Sequence, residues 1–176
     1  MNGLEYNDLK DELAGYSDSF EKIVLGDPLL TSDDDFQKVM NAIVDATKEY
    51  DDGETAICFM GHGTEADSNS VYTKMQETLK AAGHDNYFVG TVEATPSLDD
   101  VIAAVKAGGY KKVVLRPLMI VAGDHANNDM AGDEDGSWKT EFEKAGFEVT
   151  TVVEALALCR QSRICLLHTH RQRLIP

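Results

Sequence analysis

Thr55–Thr64 reads TAICFMGHGT: seven apolar or small residues with almost no polar alternation, running straight into a histidine set between two glycines. A strand without alternation is covered on both faces, which is the mark of a parallel strand inside an α/β sheet. The same pattern returns downstream. Asn86–Glu93 (NYFVGTVE), Lys111–Val121 (KKVVLRPLMIV) and Phe147–Val153 (FEVTTVV) read as further strands. Between them lie helical stretches: Ser68–Ala82 with Val71, Met75 and Leu79 at helical spacing, Pro96–Ala107 with Leu98, Val101, Ile102 and Val105, and a turn or two around Trp138 and Phe142. Gly83, Gly108 and Gly146 stop them. Regular alternation of strand and helix predicts a doubly wound α/β sandwich on a mostly parallel sheet.

Working outward, Ser32 and the acidic run Asp33–Asp35 read as the cap and first turn of a helix carrying Phe36, Val39, Met40 and Ile43. The segment Glu21–Leu30 (EKIVLGDPLL) reads as a brief strand ended by a Gly-Asp-Pro turn, after a short helix around Leu4, Leu9 and Leu13. The 176 residues, 43% of them hydrophobic, suit one core. The apolar run at Val113–Ala122 is broken by Arg116 and Pro117, short of the roughly 20 residues of a membrane span. With no basic, apolar leader at the N-terminus, the expected location is the cytoplasm. Acidic residues number 31 against 16 Lys and Arg, a net charge of −15 that repels phosphate backbones and disfavours nucleic acid as a partner. Cys58, Cys159 and Cys165 are too scattered for a disulfide framework or a zinc knuckle.

The chain after Glu154 is unlike the rest. Residues 155–176 hold no Asp or Glu, yet contain Arg160, Arg163, Arg171 and Arg173. They form either a basic helix that pairs with the acidic body or a partner, or a tail translated in another frame. Codons for this stretch, shifted by one nucleotide, can read as a loop and an amphipathic helix, and we favour that reading. The expected division is therefore 1–154 as an α/β domain and 155–176 as an atypical tail.

In an open α/β sheet, ligands bind beyond the carboxyl ends of the strands. Three polar residues stand at three such ends: His62 in FMGHGT, Glu93 in GTVEATP and His125 in VAGDHANND. Two imidazoles and a carboxylate make a fitting donor set for a divalent transition ion. Gly61 and Gly63 imply a sharp turn and a close approach at His62. A phosphate site at the helix following GHGT is the competing reading, weakened by Glu65, Asp67 and the lack of a P-loop lysine. Met119, Ile120 and Val121 are either core or the floor of a flat apolar pocket. Asn127, Asn128 and Asp129 either cap the next helix or orient His125 from behind.

FMGHGTEADSNSVY, VGTVEATPSLDDVI and VVLRPLMIVAGDHANNDMAGDEDGSW, in this order over roughly Ile23–Glu154, resemble the anaerobic cobalt chelatases that act on sirohydrochlorin. The resemblance implies a chelatase fold of two similar α/β halves, of which this chain looks like the C-terminal one. It implies a lyase inserting Co2+ into the tetrapyrrole without ATP or an organic cofactor, with Fe2+ or Ni2+ acceptable to the same donors. By resemblance His62, Glu93 and His125 hold the ion and take up the pyrrole protons, with Gly61, Gly63, Thr64, Met119, Val121 and Gly123 against the substrate. It further implies that a second copy, or the missing half, closes the cleft. A non-catalytic module that binds metal or tetrapyrrole is the alternative.

Overall fold

The computed structural model describes residues 4–158, so the expectations for the tail from Cys159 onward lie outside the described residues. Helix α1 (Leu4–Ala14) and an irregular stretch precede α2 (Asp33–Thr47), β1 (Thr55–Gly61), α3 (Ser70–Ala81), β2 (Tyr87–Thr91), α4 (Leu98–Ala107) and β3 (Lys112–Pro117). A single π-helical turn, His125–Met130, leads to α5 (Trp138–Lys144) and β4 (Glu148–Thr151). All pairings are parallel, in the order β2-β1-β3-β4. The expected doubly wound sandwich is the observed one.

Alternation along β1 splits the core into two layers. Ile57 and Phe59 face Phe36, Val39 and Ile43 of α2 and Met75 and Leu79 of α3. Ala56, Cys58 and Met60 face Val101 and Val105 of α4 and Trp138 and Phe142 of α5. Burying an apolar side chain of this size stabilises the fold by roughly 1.5–3 kcal/mol each before entropy is counted. The helices begin where small polar residues can hold their free amides. Ser32 accepts from the Asp35 amide at 3.2 Å while the Ser32 amide donates to the Asp35 carboxylate at 3.4 Å. Ser97 and Asp100 repeat that reciprocal pair at α4. The acidic run at Asp33–Asp35 is thus a helix start, as expected.

The strand expected in Glu21–Leu30 is not formed; residues 22–28 carry no regular structure. Both sides of β1 are already paired, Pro28 lacks an N–H, and the outer edge of β2 is occupied by a side chain. Gln76 of α3 accepts from the Val89 amide and donates to the Tyr87 carbonyl, each at 2.8 Å, as a neighbouring strand would. The segment instead brings Leu29 and Leu30 to the carboxyl end of the sheet. Among the described residues no helix is long and apolar enough to cross a membrane.

Candidate metal centre

The chain leaves β1 for β2 on one side, then returns across it to β3 on the other. The carboxyl ends of β1 and β3 therefore flank the point where the winding reverses, and a crevice opens there. His62 follows β1, Glu93 follows β2 and His125 lies beyond β3. Pairing continues past the strands: the Val92 amide donates to the Gly61 carbonyl and the Glu93 amide to the His62 carbonyl, both at 3.0 Å. That ladder sets Glu93 beside His62. Gly63 lies just past it with φ at +86°, and a Cβ there would sit 2.9 Å from the Ala94 nitrogen. Only glycine lets the two loops approach this closely.

His62, Glu93 and His125 each present a ligand atom within 4.8 Å of the others. The Glu93 carboxylate lies 3.3 Å from His62 Nδ1 and 4.0 Å from His125 Nε2. Donor atoms bound to one transition ion at about 2.0–2.2 Å stand roughly 3–3.5 Å apart, so three groups whose ligand atoms lie within 4.8 Å of one another need a modest closure to share an ion. The Gly63 carbonyl is 3.0 Å from His62 Nδ1. Both near acceptors thus face Nδ1, so in the neutral ring Nδ1 carries the proton and Nε2 the lone pair.

Beside this triangle opens a pocket of about 310 Å³. Leu118 and Met119 form its floor, Leu30, Tyr72 and Leu156 its walls, and both histidines stand on its rim. Val121 and Gly123 also line it, whereas Gly61, Gly63 and Thr64 do not. Gly61 is buried against the Tyr72 ring, where a Cβ would lie 2.1 Å from the ring. The Gly63 amide donates to the Tyr72 hydroxyl at 3.2 Å, and the Thr64 amide to the Asn69 side chain at 3.2 Å. With the Ala66 amide also held, by the Thr64 hydroxyl, these loop amides are engaged internally, which removes the support for a phosphate cradle. Burial pushes the Tyr72 hydroxyl up from its ordinary range, so it remains neutral.

Arg116 points away from the pocket chemistry. Its side chain is buried within the sandwich and donates to the Ala46 carbonyl at 2.9 Å and the Glu154 carboxylate at 3.0 Å. It therefore offers nothing to a substrate. Cys58 is buried too, and desolvation raises its thiol far above the range of a nucleophile. Sequence reasoning did not find Tyr72, Leu30 or Leu156 for this pocket. Tyr72 carried a signal in its spacing with Met75 and Leu79, the buried face of α3.

The family model described as cobalt chelatase (CbiK) matches residues 1–170, beyond the stretch whose motifs carry the resemblance at both ends. The sirohydrochlorin cobaltochelatase of Salmonella typhimurium is 35% identical over 156 residues, which cover 89% of this chain and 58% of that protein. The sirohydrochlorin cobaltochelatase CbiKC of Nitratidesulfovibrio vulgaris is 31% identical over 157 residues, 88% of this chain and 55% of that one. The chain thus spans just over half the length of these curated relatives. Among solved structures, the cobalt complex of the sirohydrochlorin chelatase SirB from Bacillus subtilis subspecies spizizenii superposes with a TM-score of 0.45 at 16% identity, over 58% of this chain and 44% of that one. With a family model that spans nearly all of its length, this chain belongs to the cobalt chelatase family.

Proposed function

We propose that this chain takes part in the ATP-independent insertion of Co2+ into a sirohydrochlorin-type tetrapyrrole, with His62, Glu93 and His125 holding the ion. The observation that carries the reading is the three-donor cluster at the rim of an apolar pocket, at the reversal point of a parallel sheet. Its relatives are named for this reaction. A flat macrocycle lies with one face on Leu118, Met119 and Val121 and its nitrogens toward the donors. As the ion passes from imidazole and carboxylate to the four nitrogens, two N–H protons leave the macrocycle, and Glu93 and the vacated imidazoles accept them. Contacts remote from the centre bend the ring and turn the nitrogen lone pairs toward the ion.

A tetrapyrrole rich in carboxylates needs cations, and no Lys or Arg lines the pocket among the described residues. In this reading the opposite wall and its positive charge come from a second copy, a separate half, or residues beyond 158. The donor set also takes Fe2+ or Ni2+, which competition binding ranks. The reaction is taken as cytoplasmic, and the division of the chain after Glu154, with a tail in another frame, stays part of the proposal; the nucleotide sequence tests it.

Calorimetry with Co2+ on the parent, His62→Ala and His125→Ala, with absorbance of sirohydrochlorin followed in the same samples, tests the function. Binding and insertion by the parent, lost in both variants, is the expected result. Binding without insertion favours the alternative of a metal-binding module, and a parent without affinity for Co2+ overturns the metal reading.

A further inference from the structure

His125 opens the π-helical turn and Asp129 lies one turn on, with Asp129 Oδ2 2.6 Å from His125 Nδ1. An ionised carboxylate only accepts, so a contact this short puts the ring proton on Nδ1 and leaves the lone pair on Nε2. Nε2 is the atom that faces Glu93, across 4.0 Å. The turn that sets this geometry is tied down from both sides. Asn127 donates its side-chain amide to the Gly123 carbonyl at 2.7 Å, and Asn128 donates to the Asp124 carboxylate at 2.6 Å. Ala126 and Met130 anchor the same turn in the interior. A single widened turn of this kind places a side chain where a regular helix would not.

We infer that Asp129 is a positioning residue that fixes the His125 ring in the Nδ1–H form and turns Nε2 toward the ion. This rests on the proposed metal site but makes a claim about the metal-free protein as well. At His62 the Gly63 backbone carbonyl, 3.0 Å from Nδ1, supports the same tautomer more closely than the Glu93 carboxylate at 3.3 Å, and no side-chain substitution removes it. His125 depends on a side chain, so its orientation is the one that point variants can release. The negative charge of Asp129 also raises the donor strength of Nε2 and, with Glu93, supplies two charges against a divalent ion.

The test compares the full chain with Asp129→Asn and Asp129→Ala. Long-range nitrogen–proton NMR reads the His125 tautomer without metal, and calorimetry and the visible bands of bound Co2+ read the site. The expected result is an Nδ1–H ring in the parent and in Asp129→Asn, whose amide oxygen still accepts, and loss of that form in Asp129→Ala. Affinity for Co2+ falls roughly 10–100-fold in Asp129→Ala and only a few-fold in Asp129→Asn. An Nε2–H ring in the parent, or an unchanged tautomer in Asp129→Ala, overturns the inference and leaves the metal site standing if Co2+ binds. Equal losses of affinity in the two variants also overturn it, because they would report charge alone. A parent with the Nδ1–H ring and no affinity for Co2+ overturns the metal site and the positioning role together.

Discussion

The His62 imidazole stands edge-on to that of His125, with 4.5 Å between ring centres and 85° between ring planes. In the proposed site two rings so placed would serve one ion together with Glu93, and removing either would leave the other with the carboxylate alone as chelate partner. His62→Ala and His125→Ala should each cost Co2+ affinity more than the roughly 10–100-fold expected of an outer partner. The double variant should lose little beyond either single one, a non-additivity that calorimetry reads directly. Losses that simply add would mean two independent weak sites.

Gly63 combines a left-handed φ of +86° with close backbone contact, the Ala94 nitrogen standing 2.9 Å from where a Cβ would lie. Gly63→Ala should destabilise the fold by about 1–3 kcal/mol, from strain in the left-handed region. Because the Glu93 loop must move to admit the methyl group, Co2+ affinity should fall further than in Gly53→Ala, where φ is +76° and the space around the Cβ is open. Urea denaturation and calorimetry on both variants separate strain from displacement.

Gln76 shields the outer edge of β2 with two hydrogen bonds of 2.8 Å. Gln76→Leu keeps the bulk and removes both partners, leaving the Val89 amide and Tyr87 carbonyl unpaired. The cost should be about 1–3 kcal/mol. An uncovered edge also templates pairing between chains, so sedimentation velocity should show concentration-dependent association beyond that of the parent.

Tyr87 gives the fold a sensitivity to alkali. Burial pushes its hydroxyl from 10.0 up to about 12, although the Thr47 hydroxyl 3.0 Å away opposes the shift. The Asp51 carboxylate, 3.2 Å away, adds to it. A folded-state value above the unfolded one favours the neutral form, so this contribution is complete below pH 10 and is lost as pH rises through about 12. Tyr87→Phe should be modestly less stable at neutral pH and show a flatter decline in that window. Thermal melts across the range measure both.

The sequence revealed the sheet because β1, β2 and β3 are each apolar on both faces, a local property. It revealed His62, Glu93 and His125 as a group because the rule about carboxyl ends needs only strand boundaries. Strand order is not local, and neither is the fate of Glu21–Leu30, whose apolar residues match a strand but find β1 paired on both sides and the outer edge of β2 covered by Gln76. The turn at His125–Met130 reads as a polar loop because HANND shows no periodicity; its regularity comes from Ala126 and Met130 reaching the core. Leu30 and Leu156 join one wall only through tertiary structure, and no spacing announces that.

That wall links the pocket to the timing of folding. Leu30 comes before β1 and Leu156 after β4, and the strap carrying Leu156 is pinned where its amide donates to the Met119 carbonyl at 2.9 Å. Every strand must therefore be in register before the two leucines can meet. Contacts between residues so far apart in sequence are the slow ones to form. In a refolding experiment, secondary structure should return first and the capacity to take an apolar dye or Co2+ last, making the ion a clock for the final closure of the chain.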